Sequence, residues 1–149
     1  MKARIRGAAV IVHEGRLALA RHVHEERELT WWSPPGGSVE DRETILVSAE
    51  REALEETSLR VVAERPIYAQ ELISSYYKNR VLELFILCSL ADGVSPDEIQ
   101  GDNEIDEARW FTREDAASEL ILPKVFATQF WDDLAAGFPE FRYLGLAET

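Results

Sequence analysis

The sequence predicts one α/β (α+β) domain, spanning residues 1–149, in which a β-sheet is flanked by a few helices. Three observations support this prediction. The chain has 149 residues, which suits a single domain with a buried core. No repeat and no Ser/Gly-rich linker divides it. Apolar or alternating segments of strand length are interspersed with amphipathic helical patterns, an order that is typical of a sandwich.

Three segments in the first third of the chain are predicted strands, because their residues are apolar or alternate in polarity: 7–12, 17–22 and 31–32. Gly15 lies in the turn between the first two, where it can adopt a positive φ angle. The polar residues 23–30 are predicted to form a loop. We expect the segment Pro34-Pro35-Gly36-Gly37 to stop regular structure, because proline lacks an N–H donor and glycine allows unusual dihedral angles.

The clearest helix is predicted over residues 44–57, with either Asp41 or Thr44 as its N-cap. A second amphipathic helix is predicted over residues 122–136, with Gly137 as its C-terminal stop. Residues 112–115 resemble the capped start of a helix. The remaining segments are predicted as strands and a loop: strand 61–74, interrupted at Pro66; strand 77–90; loop 91–103; strand 105–111.

The charge of the chain argues against some classes of partner. It has 16 Lys and Arg residues against 28 Asp and Glu residues, a formal net charge of −12. Because nucleic acids and anionic membranes attract basic surfaces, we expect no nucleic-acid and no membrane partner. No apolar run reaches the roughly 18 residues that a membrane-spanning helix needs, and no secretory signal is recognisable. We therefore expect a cytoplasmic protein, with Cys88 as a buried, unpaired thiol.

Three carboxylates fall on one face of the first predicted helix. At about 100° per residue, Glu52, Glu55 and Glu56 lie within about one third of its circumference. Such a cluster is repulsive unless a cation neutralises it, and carboxylate oxygens are the ligands that Mg²⁺ and Mn²⁺ prefer. The alternative is a solvated acidic face paired with Arg51. The upstream Gly36-Gly37 favours the metal site, because it supplies flexible backbone beside the acids.

With Glu43, these residues resemble the Nudix box, Gly-x5-Glu-x7-Arg-Glu-U-x-Glu-Glu-x-Gly-U, where U is an apolar residue. The positions that match in register are Gly37, Glu43, Arg51, Glu52, Ala53, Glu55, Glu56 and Leu59. Ser58 stands where the box has its second glycine. That glycine normally ends the helix in a left-handed conformation, so the serine is expected to affect the loop and not the metal ligands.

The resemblance implies a Nudix-type α/β/α sandwich, with a mixed β-sheet between helices. It also implies hydrolysis of the pyrophosphate bond of a nucleoside diphosphate linked to another moiety, with Mg²⁺ or Mn²⁺ as cofactor and a small-molecule nucleotide as partner. The expected metal ligands are Glu52, Glu55, Glu56 and the carbonyl of Gly37. Arg51 is expected to hold the carboxylates in place, and Glu43 is a supporting acid. Three candidates are left open for the general base: Glu55, Glu56 and Glu104.

The preferred substrate is weakly encoded. Aromatic side chains that could stack on a base are Trp32, Tyr76, Tyr77 and Phe111, and arginines that could hold phosphates are Arg21, Arg27 and Arg80. Core packing is the alternative for each ring, and solvation at the surface is the alternative for each arginine. Nucleoside triphosphates, dinucleoside polyphosphates and ADP-ribose stay as candidates. ADP-ribose is slightly disfavoured, because we do not expect the extra N-terminal domain that is common among dimeric ADP-ribose hydrolases.

Two other functions are compatible with the same box. One is a catalytically inactive Nudix-fold module that binds a ligand. Such modules commonly lose acids of the box, and this chain keeps them. The other is a hydrolase or isomerase of a non-nucleotide diphosphate, such as an isoprenoid diphosphate. Either a monomer or a homodimer is expected.

Overall fold

A computed structural model describes residues 2–75, 78–102 and 107–148. Its strands are β1 (Lys2–His13), β2 (Arg16–His24), β3 (Leu29–Ser33), β4 (Gly36–Ser38), β5 (Val61–Ser74), β6 (Asn79–Leu90), β7 (Ala108–Phe111) and β8 (Arg142–Glu148). Its α-helices are α1 (Ile45–Thr57), α2 (Arg113–Ala117) and α3 (Gln129–Ala136), and 3-10 turns occur at Glu25–Arg27, Pro96–Glu98 and Lys124–Ala127.

The strands form one mixed sheet in the order β3-β2-β1-β6-β5-β8. β1 runs parallel to β6, and β5 runs parallel to β8, whereas the other pairs are antiparallel. The two short strands pair beside this path, β4 with β1 and β7 with β2. β1 is therefore the centre of the sheet, and its edge towards β2 also carries β4.

The face of the sheet under α1 is packed with small and branched side chains. Ala49 and Ala53 of α1 are fully buried against Ile11 and Ile86 of the sheet. Alanine at these positions lets the helix lie close to the strands, so the acidic side of the helix is held beside β4.

The opposite face is covered by the segment from the 3-10 turn at Lys124–Ala127 to α3. Phe126 is fully buried there, and its ring centroid lies 5.2 Å from that of Phe85 and 5.6 Å from that of Tyr68. Helices thus lie on both faces of a mixed sheet, which confirms the predicted α/β/α sandwich. None of the helices in the described part of the chain is long and apolar enough to span a membrane.

Some boundaries differ from the predictions. Residues 36–38 form a strand where a stop was predicted, because their backbone pairs with residues 6–8 of β1. The predicted helix 122–136 is divided into a 3-10 turn and α3, with a break at Thr128. β8 was not predicted, because its exposed, glycine-containing sequence has no strong pattern and becomes a strand by pairing with β5. Part of the predicted loop 23–30 belongs to strands β2 and β3.

The two ends of α1 are well defined. Thr44 is the N-cap, since its hydroxyl accepts a hydrogen bond from the N–H of Val47 at 3.1 Å. At the other end, Ser58 adopts the left-handed conformation, with φ 63° and ψ 9°, and its N–H donates to the carbonyl of Leu54. The serine therefore occupies the conformation that the box glycine would supply, and its hydroxyl also donates to the carbonyl of Gln100 at 3.2 Å.

We expect Ser58→Gly to stabilise the protein by about 0.5 kcal/mol, because glycine adopts the left-handed conformation without steric cost but loses the bond to Gln100. Chemical denaturation measures this change. Ser118→Gly is the matched control, since Ser118 caps α2 with an ordinary φ of −104°. That control should leave stability unchanged or lower it. A loss of stability in Ser58→Gly would show that the hydroxyl bond outweighs the backbone strain.

Candidate active site

Arg51 connects the loop before α1 to the acids of the helix. Its Nε and Nη2 atoms donate to the two carboxylate oxygens of Glu43, at 2.9 and 2.8 Å. Its Nη1 donates to Glu52 at 2.8 Å and lies 3.3 Å from the nearer oxygen of Glu55. Nη2 also donates to the carbonyl of Ser38, at 3.1 Å, in β4. One guanidinium therefore fixes the positions of Glu43 and Glu52 relative to the strand and holds Glu55 more loosely.

The paired charges shift the pKa values of both partners. The hydrogen bond from Arg51, with help from the N–H of Glu40, lowers the pKa of Glu43 to about 2. The pKa of Arg51 is raised above its ordinary value, first by its hydrogen bond to Glu43 and further by Glu52. Glu43 is therefore an ionised anchor at every physiological pH. Its role as a supporting acid, which the resemblance implies, stays a prediction.

Glu56 and Glu52 form the second part of the site. One oxygen of Glu56 accepts a hydrogen bond from the N–H of Gly36 at 2.9 Å. Burial raises the pKa of Glu56, and the hydrogen bond to Glu52 and the charge of Glu52 raise it further, to about 8. Glu52 itself is only 9% exposed. Without a cation, the carboxyl group of Glu56 therefore keeps its proton up to about neutral pH, in contact with Glu52.

Gly37 is required for this close packing. A Cβ atom built on Gly37 would lie 2.7 Å from the carboxyl carbon of Glu52, closer than any real contact allows. The neighbouring Gly36 is equally restricted, because a Cβ atom there would lie 2.8 Å from that of Ala8. The two glycines predicted to end regular structure therefore form the part of β4 that has no side chains, against which the carboxylates of α1 pack.

The backbone of β4 presents alternate residues to opposite edges. The N–H of Ala9 donates to the carbonyl of Pro35, and the N–H of Val39 donates to that of Ile5. By the alternation of an antiparallel ladder, the polar groups of Gly37 face β1. Those of Gly36 face the other edge, where its N–H meets Glu56.

The residues present suit a divalent cation. Among the described residues, no three acidic, histidine or cysteine side chains are already arranged around a common point. Glu52 and Glu56 nevertheless supply hard oxygen donors whose mutual repulsion a cation would relieve. Glu55 is about half exposed and bound only loosely to Arg51, so its carboxylate can turn towards the other two.

The predicted base-stacking residues that the structure describes are buried. Trp32 is 3% exposed and Phe111 is fully buried, and their rings meet edge to face at 4.9 Å. The guanidinium of Arg109 lies over both rings, at 4.7 and 4.6 Å. The structure therefore supports core packing for these two rings. The predicted residues Tyr76, Tyr77 and Glu104 lie outside the described residues.

The three predicted phosphate-binding arginines lie on β2, the 3-10 turn after it and β6, and not on the elements that carry the acids. Arg80 donates two hydrogen bonds to Glu71, at 3.0 and 2.7 Å, near the far end of the β5–β6 pair. Arg21 is 3.4 Å from Glu107. Arg27 lies in the exposed 3-10 turn after β2. Their roles in binding stay predictions.

A different charged pair, which the sequence analysis missed, lies beside β4. Arg6 of β1 donates from Nε to Glu83 of β6 at 2.9 Å, and the Glu83 side chain is 10% exposed. The positive charge of Arg6 also lowers the pKa of Glu56, against the larger effects that raise it. The available signal was Glu83 itself, a charged residue that interrupts an otherwise apolar strand.

Replacing Arg51 with lysine should weaken the site without unfolding the protein. Lysine keeps the charge but cannot bind Glu43 through two parallel hydrogen bonds and Glu52 at the same time. We expect activity to fall about 10- to 100-fold, as is typical when residues that orient metal ligands are changed. Arg113→Lys is the control, since Arg113 forms an exposed pair with Asp132 at 3.1 Å. Equal activities of the two variants would contradict the orienting role.

Comparisons with known proteins agree with this architecture. A family model described as NUDIX domain matches residues 2–129. A search of curated proteins found no match. Among solved structures, the fold is similar to a NUDIX hydrolase from Nitrosomonas europaea, with a TM-score of 0.76, 18% identity, and coverage of 100% of this chain and 81% of that one.

Two further structures have similar folds. A MutT protein from Methanosarcina mazei Go1 has a TM-score of 0.65 and 22% identity, covering 93% of this chain and 97% of that one. An ADP-ribose pyrophosphatase from Streptococcus suis 89-1591 has a TM-score of 0.56 and 24% identity, covering 97% of this chain and 98% of that one. Because the NUDIX domain model matches residues 2–129, most of its length, the chain belongs to the Nudix family.

Proposed function

We propose that the protein hydrolyses the pyrophosphate bond of a nucleoside diphosphate linked to another moiety, with Mg²⁺ or Mn²⁺ as cofactor. The observation that carries the proposal is the arrangement of Glu52 and Glu56 against the side-chain-free strand at Gly36 and Gly37, with Arg51 holding the remaining acids. This arrangement brings together two carboxylates whose mutual repulsion a bound cation would relieve. A bound cation would reduce the electrostatic repulsion between the acidic protein and the phosphates of an anionic substrate.

Glu52, Glu55 and Glu56 would hold the cation, together with a backbone carbonyl of β4. The alternation of the strand favours the carbonyl of Gly36 over the predicted carbonyl of Gly37, because Gly36 faces the edge where Glu56 lies. The cation, when bound, offsets the charge of the pyrophosphate and lowers the pKa of water.

The chain's own residues supply orientation and proton transfer. Arg51 keeps the carboxylate of Glu52 fixed, and Glu43 in turn fixes Arg51. Hydrolysis needs a base that accepts a proton from the attacking water. Glu55 and Glu56 lie on the same face of α1 as Glu52, so either can act as this base. Glu104 stays a third candidate.

The direct test is product release from a panel of compounds with Mg²⁺ or Mn²⁺. The panel contains nucleoside triphosphates and their deoxy forms, dinucleoside polyphosphates, ADP-ribose, sugar nucleotides and isoprenoid diphosphates. We expect cleavage of at least one nucleotide, and loss of cleavage when the metal is chelated. Cleavage of isoprenoid diphosphates alone would replace this proposal with the non-nucleotide alternative. Nucleotide binding without cleavage of any compound would indicate the inactive module.

A further inference from the structure

Arg6 lies near the carboxylates of α1, but its side chain is on the opposite face of the sheet. A Cβ on Gly7 would lie 3.2 Å from Ile45, so Gly7 faces α1, and by strand alternation Arg6 faces away from it. Arg6 pairs in register with Ser38 of β4 on one side and with Glu83 of β6 on the other. Ser38 follows Gly37, which packs against Glu52, so Arg6 stands across β4 from the acids of α1.

Glu83 orients Arg6 but engages only some of the hydrogen-bond donors of the Arg6 guanidinium. The bond at 2.9 Å engages Nε, and no hydrogen bond from the two terminal nitrogens of Arg6 is formed within the described residues. The side chain of Arg6 is 32% exposed, whereas that of Glu83 is 10% exposed. A buried carboxylate therefore holds a partly exposed guanidinium whose outer edge can bind a ligand.

The other arginine at the site has no comparable capacity. Arg51 is engaged through Nε and both terminal nitrogens by carboxylates and by the carbonyl of Ser38. Arg4 lies two residues from Arg6 on β1, is exposed, and donates to the hydroxyl of Ser38. Arg6 thus combines partial burial, a fixed orientation and open donors beside the acids.

We propose that Arg6, oriented by Glu83, binds a phosphate of the substrate through its two terminal nitrogens. The planar guanidinium matches the oxygens of a phosphate, and its charge lies opposite the carboxylates that would hold the cation. The substrate would then be held between a cation on the α1 side of β4 and Arg6 on the other. This proposal rests on the proposed function, because it concerns the same pyrophosphate substrate.

The primary test compares Arg6→Gln with Arg4→Gln on the best substrate of the panel. Loss of a charge-assisted contact to phosphate should raise KM about 10- to 100-fold in Arg6→Gln, with a smaller change in kcat. Arg4→Gln should retain wild-type constants, since Arg4 is exposed and on the same face. Binding of ADP, measured by calorimetry in the presence of Mn²⁺, should weaken by a similar factor in Arg6→Gln. Unchanged KM and ADP affinity in Arg6→Gln would overturn the proposal.

A second comparison separates binding from a structural role. If Arg6 served only to satisfy the buried carboxylate of Glu83, the added change Glu83→Gln would remove that need and restore activity. If Arg6 binds phosphate, the double variant should stay as impaired as Arg6→Gln, which is the result we expect. Glu83→Gln alone should raise KM less than Arg6→Gln, because the arginine is retained. A wild type that cleaves no nucleotide would refute the proposed function, whereas cleavage with a normal Arg6→Gln variant would refute only the role of Arg6.

Discussion

Glu56→Gln should lower turnover by about 10²–10⁴-fold, the range expected when a group that takes part in proton transfer is removed. The variant keeps the length and shape of the side chain, and its amide oxygen can still accept from the N–H of Gly36. It loses the negative charge that would hold the cation and the site that would accept a proton. Steady-state kinetics with Mg²⁺ measure the loss, and full activity of the variant would refute the assignment of the metal site.

The same substitution should not destabilise the metal-free protein. Its effect on stability follows from the pKa of Glu56, which is raised from 4.5 to about 8 by burial, by the hydrogen bond to Glu52 and by the charge of Glu52. Between these two pH values the folded protein holds a proton that the unfolded chain has released. Stability is therefore highest below the unfolded pKa, and it falls by up to about 1.4 kcal/mol per pH unit as pH rises through this window.

Glutamine has no proton to lose, so Glu56→Gln should remove this part of the pH dependence. Denaturation in the presence of a chelator, from pH 5 to pH 8, should show wild-type stability falling relative to that of the variant. At pH 8 the variant should be the more stable protein. Parallel curves for the two proteins would show that burial and the neighbouring Glu52 do not raise the pKa of Glu56 in the folded state.

The sequence was most informative where structure is local. The register of α1 follows from periodic apolar residues, and the choice between Asp41 and Thr44 as its N-cap was the only ambiguity at its start. Thr44 caps the helix in the structure. The positions of Glu52 and Glu56 on the helix follow from the same periodicity. Arg51 contacts Glu43 and Glu52 in the structure, and the role that the box resemblance implies for it stays a prediction.

The sequence was least informative where structure depends on pairing between distant segments. Gly36 and Gly37 have no side chains, so no pattern could show that their backbone pairs with β1. β8 is specified by β5, about 70 residues earlier, and its own residues are largely exposed. Burial of Trp32 likewise depends on Phe111, which reaches it only through the pairing of β7 with β2. The edges of β4 that the carbonyls of Gly36 and Gly37 face could be assigned only from the hydrogen-bonding pattern between β1 and β4.

Gly37→Ala should separate the geometry of the site from its chemical groups, because it adds one methyl and removes no donor or charge. The added Cβ would lie 2.7 Å from the carboxyl carbon of Glu52, so this carboxylate must move. A displacement of about 1 Å at a reacting centre can cost about 100-fold in rate, and we expect a loss of that size. Weaker Mn²⁺ binding, measured by electron paramagnetic resonance, should accompany it.

Glu52→Asp supplies the matched second change. Aspartate is one methylene shorter, so the Gly37→Ala/Glu52→Asp variant has room for the added methyl. If the collision with Glu52 is the cause, the double variant should be more stable than Gly37→Ala and should bind Mn²⁺ at least as well, although neither should reach wild-type turnover. If Gly37→Ala has wild-type turnover and Mn²⁺ affinity, the Glu52 carboxylate does not hold the cation from the position that it has in the structure. In that case Glu55 and Glu56, without Glu52, would be the carboxylates assigned to the metal site.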